Sequence, residues 1–248
     1  MLGLIYKDFK IYRNTFLCLM GVLLLSNGFI MLPVAVGTEE FKDAMNSMPA
    51  LFGMMCAGGT LISFYIAGMF QESLISGDEQ KKWAYFITST DNGIKRMVGS
   101  KYIIILIYSM MTAFMCSFMN KLCADIIGRD APDNTNLILL LFFVQLMCRG
   151  FSVPFLFAFG SKKGNTVRLT AVITVIIAGL IYGLFGDLSI INPEKIWEML
   201  MDMMTDLSQN WKLMLGQAMF FVIVIVMYIV SYKLSCRYYL KGVEHYDK

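Results

Sequence analysis

The stretch that decides the fold is LILLLFFVQLMCRGFSVPFLFAF, residues 137–159, which carries a single charge, Arg149. A helix crossing a bilayer core needs about 20 consecutive, mostly apolar residues. This run meets that length without period-two alternation, so it reads as a membrane-spanning helix and not as a β-barrel strand. Working outward, comparable runs occupy 14–36, 51–70, 102–119, 169–185 and 213–232. The fold class expected is therefore an all-α integral membrane protein with six transmembrane helices. The composition agrees: 57% of the 248 residues are hydrophobic, 16% are charged, and the mean hydropathy is +0.62. Water is not the main solvent of such a chain.

Short polar segments separate the runs. Residues 1–13 place Leu4, Ile5, Phe9 and Tyr12 near one helical face, with Lys7, Asp8, Lys10 and Arg13 mainly elsewhere. That pattern predicts an N-terminal interfacial helix before the first span. A signal peptide ending at Ala35-Val36-Gly37 competes with this reading, but the apolar stretch is too long for the usual signal core, so an uncleaved anchor is expected. In the segment 187–212, Asn192 is an N-cap candidate with Pro193 at the first helical position, and Ile196, Leu200, Met203 and Leu207 form an apolar stripe. An outer amphipathic helix between spans five and six follows.

Basic residues set the orientation. With both termini cytoplasmic, fifteen lysines and arginines fall on the inner side and five on the outer, Arg149 lying within a span. The threefold excess favours that topology. No internal repeat supports an inverted-repeat secondary carrier.

Catalytic chemistry finds little to work with. The six cysteines are scattered without a C-x-x-C pair, the one histidine is His245 in the tail, and neither H-E-x-x-H nor G-x-S-x-G occurs. Neither a catalytic residue nor a metal site is expected. The net charge of +3 is small, and no nucleic-acid partner is implied. The twenty-one methionines read as packing filler or a composition bias in preference to an adaptable apolar lining.

The most informative polar segment is SGDEQKKWAYFITSTDNGIKRMVGSKY, residues 76–102. Asp78, Glu79, Lys81 and Lys82 precede Trp83, Tyr85, Phe86 and Ile87, and Asp91-Asn92-Gly93 marks a turn before Lys95, Arg96 and Lys101. A helix, a turn and a second short helix are predicted. A solvated loop obeying the positive-inside rule accounts for the lysines. It does not account for three clustered aromatics, which suit docking in a protein groove or lying at the headgroup level.

Asp78-Glu79, Lys82-Trp83, Tyr85, Ser89, Arg96 and Ser100-Lys101-Tyr102 resemble the loop between spans two and three of the type-2 ATP-binding-cassette permease family. The resemblance is to its small six-helix branch, which includes the phenol-soluble-modulin exporters. Pro154, Phe159-Gly160, Lys162-Lys163-Gly164 and Arg168 form a second family-like segment. Where relatives commonly carry Leu-Pro in the first loop, this chain has Thr88 to Asn92.

The resemblance implies a permease with no ATPase site of its own. It implies an ABC ATPase subunit, expected in two copies, that binds ATP and Mg, and a second permease chain as homodimer or heterodimer. By matching position, the loop at 71–101 becomes the coupling loop, with Asp78, Glu79, Lys82, Trp83, Tyr85, Phe86 and Arg96 toward the ATPase. Lys162, Lys163 and Arg168 lie on the second cytoplasmic loop. The chain contains no G-x-x-x-x-G-K-[ST] phosphate loop, in keeping with a separate ATPase. Amphipathic or antimicrobial-type peptides are the cargo the branch points to, and the bacterial plasma membrane the location. An ATP-independent channel, carrier or sensor component is the alternative class.

Arg149 stands near mid-depth of its span, where an isolated charge costs about 2.5 to 3.5 kcal/mol on insertion scales. It must face protein or water, either as a structural group bonded to neighbouring helices or as part of a translocation path. Gln145, one turn earlier, lies on the same helical face.

Overall fold

The computed structural model describes residues 2–36, 49–76, 81–90, 92–127, 134–185 and 211–243. Among them all regular structure is helical: α1 (Leu2–Ile11), α2 (Arg13–Val36), α3 (Pro49–Ser76), α4 (Lys81–Thr88), α5 (Gly93–Ile127), α6 (Thr135–Phe185) and α7 (Trp211–Val243). Gly93–Leu122, Thr135–Ser161 and Met214–Val243 are long and apolar enough to cross a membrane. The runs at 102–119 and 137–159 fall inside the first two, and the run at 213–232 falls inside the third from its second residue on. The outer helical loop expected at 187–212 lies, up to residue 210, outside the described residues.

Two helices differ from the boundaries read in the sequence. At 35 residues, α5 is roughly 50 Å long, well beyond a hydrocarbon core of about 30 Å. The short helix predicted after the Asn92 turn is therefore the opening of α5 and not a separate element. The 51 residues of α6 are broken at Gly160, whose φ of 74° and ψ of 167° belong to a region essentially restricted to glycine. There the chain folds back into two arms, 135–159 and 161–185. A methyl group placed at Gly164 would lie 2.7 Å from the Phe155 carbonyl oxygen, although an unbroken helix separates those positions by roughly 13 Å along its axis.

The chain divides into two compact units, Met1–Leu74 with Ser100–Leu146, and Ile75–Gly99 with Met147–Lys248. In the first, Leu19, Leu23, Ala67, Ile104 and Tyr108 form a buried cluster, and Ile5 and Phe9 of α1 pack against it together with Tyr12, which follows α1. The apolar face of α1 is thus covered by the protein's own core. α1 also runs into α2 with helical bonding kept through Tyr12, from Tyr12 N to the Asp8 carbonyl (2.9 Å) and from Phe16 N to the Tyr12 carbonyl (2.8 Å). Asp8, assigned by pattern to the polar side, is buried. Its place in the series 5, 8, 9, 12 follows the i, i+3, i+4, i+7 spacing of the buried stripe.

The first unit is cross-linked by side-chain amides and hydroxyls. Asn27 Nδ2 donates to Ser63 Oγ (2.8 Å) and to the Leu23 carbonyl (2.7 Å). Gln71 Nε2 donates to Ser109 Oγ (3.0 Å). Such bonds tie helices together where apolar burial offers little driving force between them.

The second unit is built on α7. Tyr239 donates its hydroxyl to the Met97 sulfur (3.1 Å) and meets Phe157 edge-on at 5.8 Å between ring centroids. Tyr232 donates to the Lys95 carbonyl (3.2 Å). Pro154, inside α6, lacks the N–H that would bond the Gly150 carbonyl four residues back, and Ser231 Oγ of α7 donates to that carbonyl instead.

Candidate coupling site

The eight residues of α4 present two faces. Ala84 and Ile87 are buried, and the helix packs on α7. Tyr85 and Phe86 point away, 64% and 60% exposed. An amphipathic helix ordinarily turns its aromatics inward, so an adjacent outward pair forms a raised apolar patch on a seated element.

The turn after α4 is held by its own hydroxyls. Thr88 Oγ1 donates to the Tyr85 carbonyl (2.8 Å), Ser89 Oγ to Phe86 (2.7 Å) and Thr90 Oγ1 to Ile87 (2.8 Å). These bonds occupy the carbonyls that a helix end leaves without intrahelical donors. Asn92 then adopts a left-handed conformation, φ 54°, which asparagine tolerates better than most residues. The Gly93 N–H donates to the Thr90 carbonyl (3.0 Å), and Asn92 accepts the first bond of α5 from Arg96 N (3.0 Å). A Cβ on Gly93 would clash with the Ile87 carbonyl oxygen. The described residues of the segment that replaces Leu-Pro, 88–90 and 92, are therefore closely bonded to α4 and α5.

The predicted site residues fall in several places. Tyr85, Phe86 and Arg96 stand exposed on this helix-turn-helix. Asp78 and Glu79 lie outside the described residues, as do the side chains of Lys82, Trp83 and Lys162. On the opening turns of the second α6 arm, Lys163 is exposed and Arg168 bonds Asn165 of its own helix.

Gln145 belongs to the first unit, where it is buried. Its Nε2 approaches Gln71 Oε1 and the Phe64 carbonyl, both at 3.4 Å, so its amide is engaged between helices. Arg149, one turn on and half-buried, falls in the second unit. Sequence reasoning missed the buried contact between Asp8 and Lys101, which stand 3.2 Å apart. Its signal was Asp8 within an apolar stripe.

Long apolar helices, helix-to-helix polar bonds and an exposed aromatic patch on a seated short helix define a helical membrane-embedded, multi-pass protein. The family comparison makes the class specific: residues 3–240 match the model of the ABC-2 family transporter protein, and the chain belongs to that family. It is thus an ABC transporter permease, a transmembrane component of a kind that typically works with an ABC ATPase subunit. No curated protein and no solved structure gives a match.

Proposed function

We propose that this chain is the six-span permease of an ATP-driven exporter in a bacterial plasma membrane, both termini cytoplasmic, moving amphipathic peptides outward. Two permease chains form the path, and each docks one ATPase subunit that binds ATP and Mg. Docking is through the segment that holds α4, with Asp78, Glu79, Lys82, Trp83, Tyr85, Phe86 and Arg96 facing the ATPase, and Lys162, Lys163 and Arg168 adding a second basic edge. The observation that carries this reading is the two-sided α4. Its inner face is seated on α7 while Tyr85 and Phe86 project.

A displacement applied to that patch reaches α7 through packed side chains and α5 through a bonded turn. Stiffness of this kind lets an ATPase bias a two-state membrane element. The six-span reading rests on the apolar runs, and the peptide cargo rests on the resemblance to the modulin exporters.

The test is copurification with the ATPase and stimulated ATP hydrolysis by the reconstituted pair. Large aromatics docked in a partner's pocket typically cost about 2 kcal/mol or more when truncated. Tyr85→Ala with Phe86→Ala, Trp83→Ala, and reversal of Asp78 and Glu79 to lysine should each weaken association by roughly thirtyfold and leave a folded permease. Trp197→Ala should leave association intact. Unchanged binding and hydrolysis in all three coupling variants overturns the proposal.

A further inference from the structure

Along the second unit, the first arm of α6 packs against α7, with close contacts at two levels. Near one level Ser231 bonds the Gly150 carbonyl. At the other the α7 backbone at Gly242 comes against the Phe157 carbonyl. Beside this contact runs a cleft of about 850 Å³, walled by Phe151, Phe155, Ala158, Val230 and Leu234, with Tyr238 and Lys241 at one end. Lys241 is the charged lining residue, and its ammonium lies 5.6 Å from the centroid of the Tyr238 ring.

The make-up of the groove points to its occupant. Apolar walls that end at a lysine and a tyrosine repeat the make-up of a lipid, with its hydrocarbon on one side and its headgroup on the other.

We propose that this cleft holds one anionic phospholipid drawn from the surrounding leaflet. An acyl chain lies along the wall of Phe151, Phe155 and Ala158, and the phosphate sits at Lys241 beside the Tyr238 hydroxyl. The lipid fills the groove that runs beside the contact of the two helices. Its charge preference comes from a single lysine and is correspondingly modest, about fivefold over a zwitterionic lipid of the same chains.

Native mass spectrometry of the delipidated permease, titrated with phosphatidylglycerol or phosphatidylcholine, tests this together with photocrosslinking by a phosphatidylglycerol carrying a diazirine on its acyl chain. One phosphatidylglycerol per chain should be retained, with crosslinks in the peptides that contain residues 151–159 and 230–238. Lys241→Glu should abolish the preference. Val230→Trp, at an exposed position where folding is undisturbed, and Ala158→Phe should block the chain and remove the adduct. Equal retention of both lipids by the parent protein overturns the proposal. So does crosslinking elsewhere, an adduct indifferent to all three variants, or permease-to-permease crosslinking from a photoreactive residue at position 230.

Discussion

The ammonium of Lys101 stands 3.2 Å from the Asp8 carboxylate, both side chains 2% exposed, fixing α1 to α5 within the first unit. Ser100 Oγ approaches the other Asp8 oxygen at 3.4 Å, and the ammonium lies 5.2 Å from the Tyr12 ring centroid. Lys7 also reaches the carboxylate, at 3.3 Å, from a position 27% exposed. Two ions withdrawn from water are costly to separate, because removing either leaves the other buried and uncompensated.

The pair therefore behaves as a unit under mutation. Asp8→Asn and Lys101→Met should each destabilise the permease by about 3–5 kcal/mol. Asp8→Leu combined with Lys101→Met should recover most of that loss. Apparent melting temperature in detergent across the double-mutant cycle is the measurement, and additive single losses would rule out coupling.

The turn between α4 and α5 makes a second expectation. Gly93→Ala drives a methyl into the Ile87 carbonyl, so the turn must open. The long helices do not depend on that turn. The variant should insert and keep its helix content while losing stimulated ATP hydrolysis with its partner, as circular dichroism and the ATPase assay would register. Full stimulation in Gly93→Ala would show that the connection need not be tight.

Ser231 and Pro154 answer for each other. Ser231→Ala leaves the Gly150 carbonyl without this donor, at a cost of about 1 kcal/mol for an interhelical bond in a membrane protein. Pro154→Ala restores a backbone N–H at the position from which a helix bonds Gly150. In the Pro154→Ala background the Ser231→Ala loss should shrink, which a second melting-temperature cycle reads directly. An unchanged loss in that background would mean that Ser231 acts through something other than the Gly150 carbonyl.

Single-cysteine labelling checks the topology. Positions 40 and 130 should react from outside the cell, and positions 91 and 241 only after permeabilisation, because this arrangement produces the threefold basic excess on the inner side. External reaction at position 91 would overturn the six-span proposal and with it the docking of α4 on a cytoplasmic ATPase.

Much of the helical framework was legible because it follows from local rules. A run such as 137–159 must satisfy its backbone internally and bury or expose apolar side chains to lipid, so length and hydropathy are enough to place it. The turn at Asn92-Gly93 was equally plain, since its left-handed backbone suits asparagine and its close approach requires a glycine. Where α5 begins was not. Lys95, Arg96 and Ser100 resemble loop residues in composition, yet the helix begins well before the apolar stretch that marks it.

What the sequence alone determined is the solvent of this protein, the positions of its long apolar helices, the end of one apolar run at residue 159 and the family to which it belongs. Those are properties of composition and short-range spacing. The tertiary structure alone decided that Asp8 meets Lys101 across 93 positions, that Gln145 spends its amide on Gln71, and that Ser231 replaces the donor Pro154 lacks. It also turned Tyr85 and Phe86 outward while burying Ala84 and Ile87 of the helix that packs on α7. The physical reason is common to all four: a polar or aromatic side chain on a helix has the same local preference whichever neighbour it meets. Its partner is chosen when distant helices pack, by the free-energy cost of leaving a buried charge, amide or carbonyl unanswered.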